Sequence, residues 1–341
     1  MMADKPPQQE NRIRLNTSST LLFGVFLLLI AFVASISFGP VAVSIKHLWQ
    51  IVSGQENSGN IFLIVSQVRL PRSVAALIVG MALAASGVIL QAVMQNPLAA
   101  PSLIGVNAGA GLAIMLLLSF VPGRIALLPP ATFAGALLAL SLIILISSRT
   151  PKGKASIILA GVAVSAILGA STDALRLLHP EAMVGATSFM IGGLSAVSWS
   201  SIRFALPWLA VALPLALLTG PLLNVISLGD EVAASLGVRI HLARLFLLTL
   251  AAVLAGGSVC IVGLLGFVGL IVPHAMRLLL GNDQRFLLPA AMLYGGSLVL
   301  LCDLISRMLF APYEIPVGIL LSLIGGPFFI FMLLKSESNE S

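Results

Sequence analysis

The stretch Leu245–Met276, LFLLTLAAVLAGGSVCIVGLLGFVGLIVPHAM, runs 32 residues without a charged side chain. A bilayer core takes about 20 apolar residues per helix, within a range of about 17–25. The stretch is long for one crossing and short for two. Its middle, Gly263-Leu-Leu-Gly266-Phe-Val-Gly269, has the glycines for a tight turn between two short helices. Read that way it holds spans 7 and 8. The choice sets the parity of the chain, because every later segment changes side with it.

Other uncharged gaps extend the count. Leu15–Ile45 holds a first span near 20–38, and the 51 residues of Ser73–Gly123 have room for two crossings and a turn. Ile125–Ser148, Ala155–Thr172, Phe204–Gly229, Phe286–Cys302 and Ile315–Leu334 hold one span each. Ala182–Ile202 is long enough but rich in Gly, Ser and Thr, and reads as a short outer segment. The total is ten, an all-α polytopic membrane protein. Composition agrees: charged residues are 9%, hydrophobic residues 59% and mean hydropathy is +1.10. A soluble domain carries about 25% charge. The two cysteines, Cys260 and Cys302, lie in apolar runs without metal-ligand spacing.

Basic residues concentrate on the cytoplasmic side of membrane proteins. With both termini inside, 11 of the 18 Lys and Arg fall inside, Arg239, Arg244, Arg277 and Arg285 among them. A single crossing by Leu245–Met276 would move Arg277 and Arg285 outside. The net charge of +6 therefore reads as topology, with no nucleic-acid partner. Residues 1–19 read as a cytoplasmic tail, 20–335 as the transmembrane domain and 336–341 as a second tail. The first apolar stretch is longer than that of a signal peptide, so span 1 reads as a retained anchor.

Small residues let helices associate in lipid. Gly105 and Gly109 form a GxxxG, and Gly161, Ser165 and Gly169 form a stripe on span 5 that either packs or lines a pathway. Ile45, Leu48, Trp49 and Val52 recur as in a short amphipathic helix. Asn96-Pro97-Leu98-Ala99-Ala100-Pro101 is an inner turn, and Arg149–Lys154 a basic inner loop. Asp173 with Arg176, and Asp303 with Arg307, are local ion pairs near outer helix ends. No phosphate loop, zinc motif or carboxylate pair at mid-membrane occurs, and the four histidines stand far apart. These absences weigh against an intramembrane enzyme and against an ion-coupled secondary transporter, and they place energy coupling in another subunit.

Three segments together resemble one family. They are Arg69-Leu-Pro-Arg72 leading to Gln91–Gly109, then Leu228–Val238, then Gly266–Arg277 followed by Asp303, Arg307 and Glu314-Ile-Pro-Val-Gly318. In that order they are similar to the FecCD family of ABC importer permeases. The resemblance implies a type II importer permease of ten spans in the bacterial inner membrane. It implies a second permease subunit (identical or paralogous), two cytoplasmic ATPases that use ATP and Mg, and an extracytoplasmic binding protein. This chain would bind no cofactor and no metal of its own. The cargo implied is a ferric siderophore, with haem and cobalamin as alternatives.

The resemblance also assigns residues. Arg69, Arg72 and Arg307 match arginines that meet acidic groups of the binding protein. The inner loop, about 224–240, matches the coupling helix that enters the ATPase, through Asp230, Glu231, Ala233, Ala234, Leu236 and Gly237. Asp230 and Glu231 suit a helix start and Gly237 its end. A gate falls at Lys154, Ala155 and Ser156, with Asn96 and Asn107 beside it and Gly161, Ser165 and Gly169 along the pathway.

Overall fold

Asn16 opens the first helix by accepting the Ser18 N–H on its side-chain oxygen, and Thr17–Ser37 then runs as α1. A computed structural model gives the fold and describes residues 16–39, 43–53, 59–149, 153–309 and 313–337. The tail before Asn16, Pro151 and Lys152 of the basic loop, and residues 338–341 lie outside the described residues.

The amphipathic pattern forms α2, Ile45–Val52, with Ser44 accepting the His47 N–H. A short α3, Asn60–Leu63, passes through a π-helical turn, Ile64–Arg69, into α4, Leu70–Met94. A 3-10 turn at Pro101–Ile104 precedes α5, Val106–Phe120. Then come α6, Leu128–Ser148, and α7, Gly153–Leu178. The Gly/Ser/Thr-rich segment gives only α8, Pro180–Ile191, before α9, Trp199–Leu218. Two short helices follow, α10, Gly220–Ser227, and α11, Asp230–Ser235. The last four are α12, Ile240–Val262, α13, Val268–Leu280, α14, Gln284–Met308, and α15, Val317–Glu337.

Among the described residues, seven helical segments are long and apolar enough to cross a membrane, and α5, α13 and the apolar part of α15 (Val317–Ile330) are shorter apolar helices. Each gap read as a span holds an apolar helix, but the bounds differ: α9 starts at Trp199, ahead of Arg203, with α10 in the rest of its gap, and α14 takes in Arg285, Asp303 and Arg307. Leu245–Met276 does break in two, after Val262 and before Val268. With 13 residues at 1.5 Å each, α13 is about 20 Å long, less than the ~30 Å core. It is a short helix that brings the chain from the break back to the face where α12 begins.

Backbone polar groups need partners inside a membrane. The break finds them on neighbouring segments. The Leu264 N–H donates to the Phe189 carbonyl at 2.9 Å, and the Gly193 N–H donates to the Val262 carbonyl at 2.9 Å. The Gly318 N–H donates to the Gly192 carbonyl at 3.1 Å, which brings in the start of α15.

The core sits around α4, buried along most of its length and packed against α12, α13 and α14. Glycines permit this closeness. A Cβ on Gly80 would strike the Gly295 backbone, and one on Gly87 the Gly269 backbone. The GxxxG has the same use, since a Cβ on Gly109 would strike the Gly135 carbonyl of α6.

Candidate functional site: an ionic cluster at one end and a helical knob at the other

Helix alternation puts the start of α4 and the end of α14 at one face, here the outer one. Three arginines meet there. The Arg72 Nε donates to both carboxylate oxygens of Asp303 at 2.9 and 3.1 Å, and its Nη1 donates to Glu314 Oε2 at 2.8 Å. Arg307 lies 3.2 Å from Asp303 Oδ2 and donates from Nη2 to the Ser35 carbonyl and hydroxyl. The Arg69 Nη1 donates to the carbonyls of Ile36 and Ser37 at 2.8 and 2.9 Å. Two arginines thus satisfy carbonyls in the last turn of α1, where a cation also suits the helix dipole.

Exposure decides how the cluster is read. Arg69, Arg72 and Arg307 retain 4, 6 and 3% of their accessible surface, and Asp303 none. Sequence reading treats them as exposed cations at the rim, whereas the structure turns them inward as a strut joining α1, α4 and α14. The reason is Asp303, which the sequence pairs only with Arg307 one turn away. Arg72 reaches it across 231 positions of chain. The half-exposed member is Glu314, and on the same face Arg124 and Arg203 are exposed.

The opposite face carries the knob. Gly229 enters α11 at φ +110°, and Gly237 leaves it at φ +83°. The Gly237 N–H donates to the Ala234 carbonyl and the Val238 N–H to the Ala233 carbonyl. That pair is a Schellman cap, which closes a helix through a left-handed residue best filled by glycine. Arg244 Nη2 on α12 holds both oxygens of Asp230 at 2.9 and 2.8 Å. Asn224 on α10 donates to Asp283 Oδ1 at 2.7 Å and accepts the Gln284 N–H at 2.8 Å. The knob is therefore fastened to the starts of both α12 and α14.

Its surface differs from expectation in one respect. Ala233 is fully buried against the chain, so of the two alanines only Ala234 faces out. Beside it Leu228, Val232 and Leu236 are 63, 44 and 62% exposed, and Glu231 is exposed too. The apolar tip of Leu228 and Val232, and the fastening residues Arg244 and Asn224, escape a reading by motif. The spacing of 228, 232 and 236 at four residues is the signal that points to the tip.

The remaining positions scatter. Lys154 opens α7, where the structure describes its backbone alone; Ala155 is exposed and Ser156 is buried. Gly161 faces the Leu103 carbonyl and Ser165 lies towards Gly105, so both positions make close helix contacts. Gly169 is half-buried with open space before it. Asn96 accepts the Leu98 N–H at 2.8 Å and shapes its turn, and Asn107 is half-buried in the first turn of α5.

The sequence profile of the FecCD transport family matches residues 27–335. The chain belongs to the FecCD transport family. It is 38% identical over 330 residues to the hemin transport system permease HmuU of Yersinia pestis, covering 94% of this chain and 97% of that one. It is 36% identical over 321 residues to the Fe(3+)-citrate import permease YfmE of Bacillus subtilis, covering 94% and 95%. The solved structure of a metal-chelate type ABC transporter in an inward-facing conformation superposes with a TM-score of 0.84 at 31% identity, covering 93% of this chain and 99% of that one. This FecCD chain is a multi-pass inner-membrane permease of an ABC importer.

Among its described residues no group of three His, Cys, Asp or Glu is placed to hold a metal.

Proposed function

We propose that this FecCD permease conducts a ferric siderophore inward. It works beside a second permease subunit, two cytoplasmic ATPases and an extracytoplasmic binding protein, with both of its own termini in the cytoplasm. The observation that carries the reading is the knob: a short capped helix, fastened at its base and apolar at its tip. Such a helix suits insertion into a groove of another protein, and its rigidity suits transmission of a push. ATP and Mg act in the ATPases, and the permease itself catalyses no covalent change. The carrying of iron chelates by the relatives supports the cargo, and the hemin permease supports haem as the second reading.

The mechanism follows the fastening. A push on α11 reaches α14 through Asn224 and Asp283. α14 is one continuous helix, and at its far end Asp303 and Arg307 join the outer strut. Tilting α14 therefore strains the contact of Asp303 with Arg72 and that of Arg307 with Ser35, and opening on one face follows motion on the other. Docking of the binding protein at Arg69, Arg72 and Arg307 requires Glu314 to yield Arg72 to an incoming carboxylate. Arg124 and Arg203 meet the partner first.

Uptake of radiolabelled ferric siderophores and of haem, in cells with and without the gene, tests the cargo. Loss of siderophore uptake with haem uptake unchanged is the expected result. Loss of haem uptake alone refutes the siderophore assignment and selects the second reading.

A further inference from the structure

An apolar groove of about 420 Å³ lies on the outside of the helix bundle between α9 and α12, lined by Trp208, Val211, Leu215, Phe246, Leu250 and Val253 among others. Its lining offers almost no polar surface, with Thr249 bearing the one hydroxyl. Val211 is 68% exposed and Trp208 50%, so the groove opens sideways into the membrane. Pro207 and Pro214 lie inside α9 along the same stretch, and proline bends a helix.

Depth and register narrow the occupant. Phe246 to Val253 lie about 9 to 20 Å along α12 from its start, at 1.5 Å per residue, so the groove sits in the leaflet on the knob side. Arg239 precedes α12 and lies seven positions before Phe246, fourteen before Val253, on the same helical stripe. Arg239 is exposed, while the neighbouring Arg244 is engaged by Asp230. An apolar furrow at acyl depth with a cation at headgroup depth matches one molecule: a phospholipid with an anionic head. We propose that this groove is a binding site for an anionic phospholipid, with one acyl chain between α9 and α12 and the phosphate at Arg239. The proposal rests on membership of a membrane family and not on the cargo assignment.

One basic residue near the surface attracts an anionic lipid by about 1 kcal/mol, or about fivefold in occupancy. The full-length permease is reconstituted in phosphatidylcholine vesicles containing a minor fraction of brominated phosphatidylglycerol or, separately, brominated phosphatidylcholine. Trp208 fluorescence is taken as the difference between the protein and Trp208→Phe. Quenching at equal mole fraction should favour the anionic lipid by about fivefold occupancy, and the preference should vanish in Arg239→Gln. In Val211→Phe, which narrows the groove, quenching by both lipids should fall. Equal quenching by the two lipids in the unaltered protein overturns the proposal. So does a preference that survives Arg239→Gln, which would belong to the basic rim in general.

Discussion

Asp303 is the residue on which the outer end of the molecule turns. It is completely buried, accepts from Arg72 and pairs with Arg307. Removing one partner of a buried pair leaves an uncompensated charge and costs about 3–5 kcal/mol. Asp303→Asn or Arg72→Gln should therefore lower thermal stability in detergent by that order, read as a melting shift. Arg124→Gln, at an exposed site, should leave melting unchanged. Equal melting for all three would remove the strut from the account. At the other end Asp283 titrates. The Asn224 amide and the Arg285 N–H, both donating to it, hold its carboxyl below the usual 3.8. A carboxylate favoured in the folded state stabilises the fold above the ordinary carboxylate range. That stabilisation is lost as pH falls below the range. Asp283→Asn should flatten the acid limb of a plot of melting temperature against pH, and an unaltered limb would exclude this contact as a source of acid sensitivity.

The elements were legible where periodicity and charge spacing act alone. The first span, read near 20–38 and found as Thr17–Ser37, the break at Gly263 and the 12-residue α8 follow from apolar length and glycine content. The short helix α11 was legible from its ends, since Gly229 and Gly237 bracket two acids. What the sequence hides is partnership across the chain. Arg72 looks like an exposed rim cation because its carboxylate belongs to a distant helix, and Arg307, which the sequence pairs with Asp303, does not declare its second tie, to Ser35 at the end of α1. Ala233 looks like a contact surface because a six-residue helix does not declare which side its host covers. Gly161 reads from the sequence as either a packing or a pathway position, and its contact with the Leu103 carbonyl is not visible there. At this scale the prediction concerns the knob. Gly237→Val forces a β-branched residue into the left-handed region and opens the Schellman cap. Transport should fall severalfold while the protein still folds and expresses, and Leu236→Asp should do the same through the tip with little strain. Either variant with normal transport, at normal expression, would separate α11 from energy transfer.

The whole molecule is a bundle around α4 with a charged strut at one face and a fastened knob at the other. The buried charges Arg69, Arg72, Asp303 and Arg307 hold helices together, while other ionisable groups such as Arg124, Arg203 and Glu231 stay exposed. Tightness at the glycine contacts gives the bundle few ways to yield, so motion falls to whole helices. Gly87→Val should drive α4 and α13 apart against the Gly269 backbone and abolish accumulation of folded protein, as seen by size-exclusion profile; a normal profile would show that the close approach is dispensable. On the proposed function, this permease moves its cargo uphill only when another protein hydrolyses ATP. The most direct measurement is accumulation of labelled iron chelate in proteoliposomes, under imposed proton and sodium gradients and then with the ATPase and ATP. No uphill uptake is expected from the permease alone under either gradient, and uptake is expected once the ATPase and ATP are supplied together with the partner permease and the loaded binding protein. Uphill accumulation driven by a gradient through the lone permease would contradict it.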